Sequence, residues 1–456
     1  MMPGTKNTSL AADTTTGRES ASASTTGINP VHWLDQWAPR GNMRRLLIVR
    51  TLRSFVQGYV MVVFTIYLSQ IGFPAWLIGL TLAIGGISSA VLTLMTGVLS
   101  DRFGRKPFLL TYGALLFVSG VIFCVTANPI LLIATSAAGG LGRGGGGGGQ
   151  AGPFAPAEQA YIAENTTVEG RTRVFAANNV VGTLAAAAGA LCAGIPELLR
   201  STWALSLSES YLPLFGGVAL VGLITVTVLW TVTEQPRRTP APAASTQTRR
   251  TDNRNRIRRI SIAGALNGFG FGFIAGILPY WLHVRYGVSA GAIGPVLGIS
   301  SLLTAGFSLV GVRVARRFGD VQLITWSRVA GVVATLALPF SPVFQIAAVF
   351  VVARMVSAMM AMPVRQSYTM GIVDADTRGS AAGITGVARR LPASISPGIT
   401  GYLISVDQME LPFFLSASFL LANAVLYFVW FRKVRPLDDR PPDAAAAVAN
   451  VPVDVD

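Results

Sequence analysis

The stretch Gly97-Val98-Leu99-Ser100-Asp101-Arg102-Phe103-Gly104-Arg105-Lys106-Pro107 reads GVLSDRFGRKP and lies between two long apolar runs. Four of its side chains are charged, Asp101, Arg102, Arg105 and Lys106, and glycines stand at Gly97 and Gly104. Arg102, Arg105 and Lys106 suit a loop held on the cytoplasmic face of a membrane, against anionic lipid. Gly97 lets another helix approach closely, and Gly104 permits a tight turn. Topology needs no acid at Asp101. A carboxylate at a membrane edge calls for a partner, and a helix N-terminus is a good one.

Composition places this loop in a membrane protein. The chain has 456 residues, of which 51% are hydrophobic and only 12% charged, and its mean hydropathy is +0.53. A soluble chain carries about 25% charged residues. The net charge of +15 is spread in small clusters between apolar runs, which excludes the continuous basic stripe of a nucleic-acid binder. Cys124 and Cys192 lie inside apolar runs and read as small hydrophobes. With His32 and His283 as the only histidines, no metal-ligand spacing exists, and neither a metal nor a cofactor is expected. The run Arg143 to Gly149, RGGGGGG, lacks the Lys-Ser/Thr of a nucleotide loop. No nucleophile–base pair is apparent, so the chain is not expected to be an enzyme.

A helix needs roughly 20 apolar residues to cross the hydrocarbon layer. Twelve such spans are predicted, at about 45–70, 75–100, 107–126, 129–162, 173–196, 209–233, 260–284, 290–315, 321–340, 343–370, 379–405 and 410–433. The implied division is a disordered tail at 1–40, a six-helix bundle at 41–233, a basic cytoplasmic linker at 234–259, a second bundle at 260–435 and a tail at 436–456. Arg44, Arg45, Arg102, Arg105, Lys106, Arg316, Arg317, Arg378, Arg432 and Lys433 fall on one side of these spans, Arg200 and Arg285 on the other. The crowded side is read as cytoplasmic, with both termini inside. Trp76, Trp230, Trp281, Trp326 and Trp430 fall near span ends, where indoles anchor at the headgroups.

The two halves repeat. At one constant offset Pro156 matches Pro363, Gln159 matches Gln366, Tyr161 matches Tyr368, Glu169 matches Asp376 and Arg171 matches Arg378. A fainter echo of the opening loop, GVRVARRFGD from Gly311 to Asp320, follows span 8 and keeps Arg317-Phe318-Gly319 without the matching aspartate. Parallel repeats of this kind build two bundles related by an axis along the membrane normal.

Twelve spans in two repeats, a basic central stretch and GVLSDRFGRKP between spans 2 and 3 resemble the major facilitator superfamily over about residues 40–435. Its signature there is Gly-x-Leu-x-Asp-Arg-x-Gly-Arg-Lys, matched by Gly97, Leu99, Asp101, Arg102, Gly104, Arg105 and Lys106. The resemblance implies an all-α integral membrane protein of two pseudo-symmetric six-helix bundles. It also implies that Asp101 meets the start of span 11, with Arg378 and Glu164 in the same network. The family's span 4 glutamine is replaced by Gly146, and span 5 reads GALCAG where exporters often carry Gly-Pro, so the antiporter signature is not present in clear form.

Ionisable groups inside spans are costly and face a cavity or a partner. Arg50, Arg53 and Gln57 share a face of span 1, with Arg50 read as reaching the cytoplasmic interface. By the resemblance, spans 1, 4, 7 and 10 line the cavity, which makes Arg53, Gln57, Arg143, Gln150, Asn267, Phe271, Arg354 and Ser357 its candidate lining. Arg389 and Arg390 lie in span 11. Buried arginines face almost no buried acids, so the cavity favours anionic or neutral solutes. Glu158 is the candidate for proton coupling. Aromatic and methionine residues at Phe269, Phe271, Met355, Met359 and Met360 add a lean toward amphipathic compounds.

The expected function is secondary active transport by alternating access, with proton-coupled export of neutral or anionic amphipathic compounds from the cell across the plasma (inner) membrane. Proton-coupled uptake of an organic anion such as a carboxylate or phosphate ester is the alternative. A receptor or scaffold that does not transport is a third reading, though the tails and linker are short and polar. The expected partners are a small-molecule substrate, protons and the lipid bilayer, with no nucleic acid, and the chain is expected to act as a monomer.

Overall fold

The computed structural model describes residues 42–138, 154–164, 168–232, 250–373 and 378–434. These form α-helices and, among the described residues, no strand. The first repeat contains α1 (Asn42–Gln70), α2 (Ala75–Phe103), α3 (Lys106–Val125), α4 (Pro129–Ala137), α5 (Phe154–Glu164), α6 (Val168–Leu191), α7 (Ile195–Trp203) and α8 (Leu207–Trp230). The second contains α9 (Arg250–Ala275), α10 (Leu278–Tyr286), α11 (Ala290–Phe318), α12 (Asp320–Ala337), α13 (Phe344–Met360), α14 (Met362–Gly371), α15 (Arg378–Ser405) and α16 (Leu411–Phe431).

Among the described residues, nine segments are long and apolar enough to cross a membrane. The other three expected spans fall short for visible reasons. Part of the fourth lies outside the described residues. The ninth and eleventh, α12 and α15, carry Arg328 and the pair Arg389 and Arg390 within their length. With these included, the helices account for an all-α fold of twelve spans. Within them, serine and threonine hydroxyls return to the carbonyl one turn back, as Thr81 does to Leu77 O at 2.7 Å and Thr96 to Leu92 O at 2.7 Å. That removes the cost of an unsatisfied hydroxyl in hydrocarbon.

Several spans are broken where one helix was expected. Span 7 divides between α9 and α10, with Pro279 in the first turn of α10, and span 10 divides between α13 and α14, with Pro363 in the first turn of α14. A proline lacks the N–H that a continuing helix needs and clashes with the preceding turn. Span 5 runs on through a 3₁₀ turn at Cys192–Gly194 into α7, ending at Trp203 rather than near 196. The last part of the stretch expected to be linker is helical, since α9 starts at Arg250.

The helices pair in the same way in each repeat. In the first, α1 packs on α6, α3 on α8 and α1 on α8; in the second, α9 packs on α15, α12 on α16 and α9 on α16. The halves meet along two symmetry-related contacts, α2 against α15 and α6 against α11. Glycine makes both possible. A Cβ on Gly79 of α2 would stand 2.4 Å from Pro397 O and 2.7 Å from Gly401 Cα. A Cβ on Gly294 of α11 would stand 2.2 Å from Ala190 O. Both glycines lie near the end of the molecule that carries the Gly72 and Gly287 turns, and these two turns have positive φ values of 93° and 64°. Further along α15, Gly383 and Gly386 face open space.

The opening loop and its echo share one backbone form. Gly104 adopts φ 92°, ψ 163° at the end of α2, and Gly319 adopts φ 95°, ψ 150° at the end of α11. Only glycine occupies this region without strain. Gly104→Ala or Gly319→Ala is therefore expected to cost about 1–3 kcal/mol, read as a lower unfolding midpoint in detergent. An unchanged midpoint for both would show that the turns relax freely.

Two sequence expectations change. Trp281 is 2% exposed and packs on Phe413 at a centroid distance of 4.5 Å, so it belongs to the core and not to a headgroup belt. Trp76, Trp230 and Trp326 are exposed, as an anchoring role requires. Cys124 and Cys192 are both free thiols.

Candidate functional site

Polar side chains gather at two places inside the spans. The first lies between α1, α5 and α6. Arg50 does not reach the interface as expected: it is 1% exposed, and its Nη1 lies 3.4 Å from Glu158 Oε2. Glu158 is 2% exposed, and Asn178 Nδ2 donates to its other oxygen, Oε1, at 3.3 Å. The surroundings are apolar, with Val49, Ala157, Tyr161 and Val174 buried nearby. A charge in such a place is tolerated only with a partner. One helix turn along α1, the Arg53 guanidinium lies 3.5 Å over the Phe154 ring, a cation–π contact that holds Arg53 against α5.

The second place lies between α9 and α13. Arg354 is 2% exposed, and among the described residues none of its three guanidinium nitrogens has a hydrogen-bond partner. It lies over the Phe271 ring, 5.5 Å from the centroid. Asn267, one turn before Phe271 on α9, is 6% exposed and has an Oδ1 without a partner. A guanidinium and an amide oxygen, both desolvated and unsatisfied, are groups a bound solute would satisfy.

The remaining candidates distribute unevenly. Gln57 is half-buried on α1. Ser357 donates to Ala353 O at 2.7 Å, and its Cβ would lie 3.7 Å from a Cβ on Gly331 of α12, which places it against that helix. Phe269 packs between α9 and α16 against a tilted Phe419 ring at 5.0 Å, and Met360 packs on Gly311, so these apolar groups fill space between helices. Arg143 and Gln150 lie outside the described residues, as do the burial of Gly97 and the side chains of Asp101, Arg102, Glu164 and Arg378. Of the loop itself, Lys106 Nζ donates to Trp230 O at 2.7 Å, beside Arg45 Nη1 on Thr231 O at 2.7 Å. Both cations thus sit at the carbonyl end of α8, where the helix dipole favours them. Arg105 is half-buried at the turn.

The sequence reading missed Asn178, Arg328 and Arg365. Arg365 stands at the repeat position of Glu158, at the offset that relates Pro156 to Pro363, and that correspondence was available to find it.

Comparison with known proteins agrees with this architecture. An uncharacterized membrane protein of Saccharomyces cerevisiae is 20% identical over 413 residues, covering 83% of this chain and 92% of that protein. Among solved structures, a bacterial homologue of the human lysosomal transporter Spinster, in an inward-facing and occupied conformation, superposes with a TM-score of 0.66 at 14% identity, covering 85% of this chain and 96% of that one. A nucleoside transporter superposes with a TM-score of 0.63 at 14% identity, covering 85% and 98%. The family model described as Major Facilitator Superfamily matches residues 46–344 and 260–453. Paired helices in two matched repeats, polar groups buried between spans and a family match over most of the chain lead to one conclusion: this protein belongs to the Major Facilitator Superfamily and is a membrane transporter.

Proposed function

We propose that the chain exports neutral or anionic amphipathic compounds across the plasma membrane by alternating access, driven by protons. Both termini and the 234–259 stretch lie on the cytoplasmic side in this reading, because the arginines concentrate there. The observation that carries it is Arg354. Its guanidinium is buried between α9 and α13 and has no hydrogen-bond partner among the described residues. A desolvated, unpaired cation attracts an anionic or strongly polar acceptor group, and Phe271 beside it offers an apolar face.

Glu158 supplies the proton site in this reading. It is an acid that joins two spans through Arg50 and Asn178. Protonation would weaken the pull on Arg50 and loosen α5 from α1, and this is how a proton would bias one state over the other. Asp101, Arg102, Glu164 and Arg378 are assigned to the cytoplasmic latch on the strength of the signature loop.

Proteoliposomes with imposed pH gradients test the reading. Purified protein should accumulate a labelled amphipathic anion against its gradient only when the proton gradient drives exchange. Arg354→Glu should cut that anion flux by at least about tenfold, the equivalent of roughly 1.4 kcal/mol, while a neutral amphipath is partly spared. Flux insensitive to a gradient of either sign would overturn proton coupling. Symport with protons, down the proton gradient, would favour the uptake alternative, which the excess of buried arginines also supports.

A further inference from the structure

Two buried guanidinium groups of this chain stand in opposite situations. In the first repeat Arg50 Nη1 lies 3.4 Å from Glu158 Oε2, and Asn178 Nδ2 donates to Glu158 Oε1 at 3.3 Å. A guanidinium, a carboxylate and an amide are joined there in one group, with the acid between the other two. In the second repeat, among the described residues, a guanidinium and an amide are present without an acid to pair with them. Arg354 of α13 is 2% exposed and lies 5.5 Å from the centroid of the Phe271 ring on α9. Asn267 is 6% exposed and stands one turn before Phe271, about 6 Å along the axis of α9. Among the described residues, all three side-chain nitrogens of Arg354 lack a hydrogen-bond partner, and Asn267 Oδ1 lacks one too.

The two orphaned groups call for different partners. A guanidinium only donates, and an amide oxygen only accepts. One acceptor group therefore cannot satisfy both. A solute that completes the site carries an acceptor at one point and an N–H or O–H at another, roughly one helical turn away. Arg50 indicates which acceptor suits a buried guanidinium in this chain, since it is met by a carboxylate. One guanidinium balances one negative charge. A phosphate monoester brings nearly two, and neither Phe271 nor Asn267 offers a second cation to meet the surplus in a desolvated place.

We propose that Arg354 and Asn267 select monocarboxylates that also carry a hydrogen-bond donor. Arg354 takes the carboxylate, Asn267 Oδ1 takes the donor, and the apolar body of the solute lies along Phe271 between them. This rests on the reading of Arg354 as part of the transport cavity and narrows that reading to one substrate class. Asn267 is then the residue that sets specificity, because an analogue without the donor leaves its oxygen buried and unmet.

Equilibrium binding to the purified full chain in detergent tests this without a gradient or a flux. The probe is radiolabelled para-hydroxybenzoate, whose carboxylate and hydroxyl stand at opposite ends of one ring. Its competitors are para-methoxybenzoate, which lacks the donor, para-hydroxybenzamide, which lacks the charge, and phenyl phosphate. The wild type should bind para-hydroxybenzoate at least about tenfold more tightly than each of the three. Asn267→Leu should bring the hydroxy and methoxy compounds to equal affinity, a change of ratio that a merely structural role would not produce. Arg354→Met removes a buried charge that has no partner, so it should unfold at a midpoint no lower than the wild type while losing the preference for the benzoate over the benzamide. If Arg354→Met does not fold, the ratio in Asn267→Leu carries the test. The proposal is overturned if the wild type does not bind the probe, if para-methoxybenzoate or phenyl phosphate binds as tightly, or if Asn267→Leu keeps the wild-type ratio. Failure of the export reading looks different: the probe would bind with the expected selectivity and yet not be moved by a pH gradient in proteoliposomes. Proton-driven flux of another amphipathic anion, with no binding of para-hydroxybenzoate, would leave export standing and overturn the selection of monocarboxylates.

Discussion

Replacing Glu158 with alanine is expected to destabilise the folded chain by about 3–5 kcal/mol, because it removes the carboxylate that pairs with Arg50 in an apolar interior. Arg50 is 1% exposed. The double substitution Arg50→Met with Glu158→Leu removes both charges and should recover most of that loss, or exceed the wild type by roughly 1–4 kcal/mol. Chemical unfolding in mild detergent measures both. Equal destabilisation in the single and double variants would mean that the pair contributes packing and not charge neutralisation. Glu158→Gln keeps the shape and the Asn178 contact; it should fold and still exchange solute, but lose accumulation driven by a pH gradient.

A comparable effect on function is expected from bulk at the contacts between the halves. Gly294→Leu would drive a side chain into Ala190 O, where even a Cβ would stand 2.2 Å away. Gly401→Leu would meet Ala75 O, at 2.5 Å from its Cβ. Both clashes disappear if α2 separates from α15 and α6 from α11 at the Gly72/Gly287 end. The protein should therefore fold but favour the state open at that end. Flux should drop about ten- to a hundredfold, since overpacking costs about 1–3 kcal/mol and every 1.4 kcal/mol is roughly a factor of ten. Cysteines at Ala187 and Gly298, now in close approach, should cross-link readily in the wild type and poorly in Gly401→Leu. Undiminished cross-linking would show that the contact yields locally.

Much of this fold is legible in the residues because hydrocarbon is a strict solvent. Runs of apolar residues placed most of the described spans to within a few positions, though not the end of span 5 at Trp203 or the start of α9 at Arg250, and the Pro156/Pro363 correspondence exposed the repeat. Hydropathy averages over a window, however, and hides what happens within it. It gave no sign that span 7 breaks before Pro279, although the proline itself was visible. It also treated Trp281 as a headgroup anchor, whereas the break in span 7 turns that ring inward onto Phe413. The site was less legible still. Arg50 looked like a residue that reaches the interface because its partner, Glu158, is distant in sequence and only the packing of α1 on α5 and α6 joins them. Arg328 and Arg365 went unremarked in the sequence, because burial by neighbouring helices leaves no mark on the chain around them. The matched turns at Gly72 and Gly287, and at Gly104 and Gly319, show how deep the repeat runs in backbone geometry, beyond the side-chain identities that first revealed it.

The central claim is that two matched halves close the molecule at one end while opening it at the other. Pulsed electron–electron distance measurement tests it most directly, with spin labels at Arg200 and Arg285 on the Gly72/Gly287 end and at Phe103 and Phe318 on the other, all four exposed. In the wild type, lowering the pH or adding an amphipathic anion should lengthen one of these distances while the other shortens. Two distances that stay fixed, or that change together in the same direction, would contradict it.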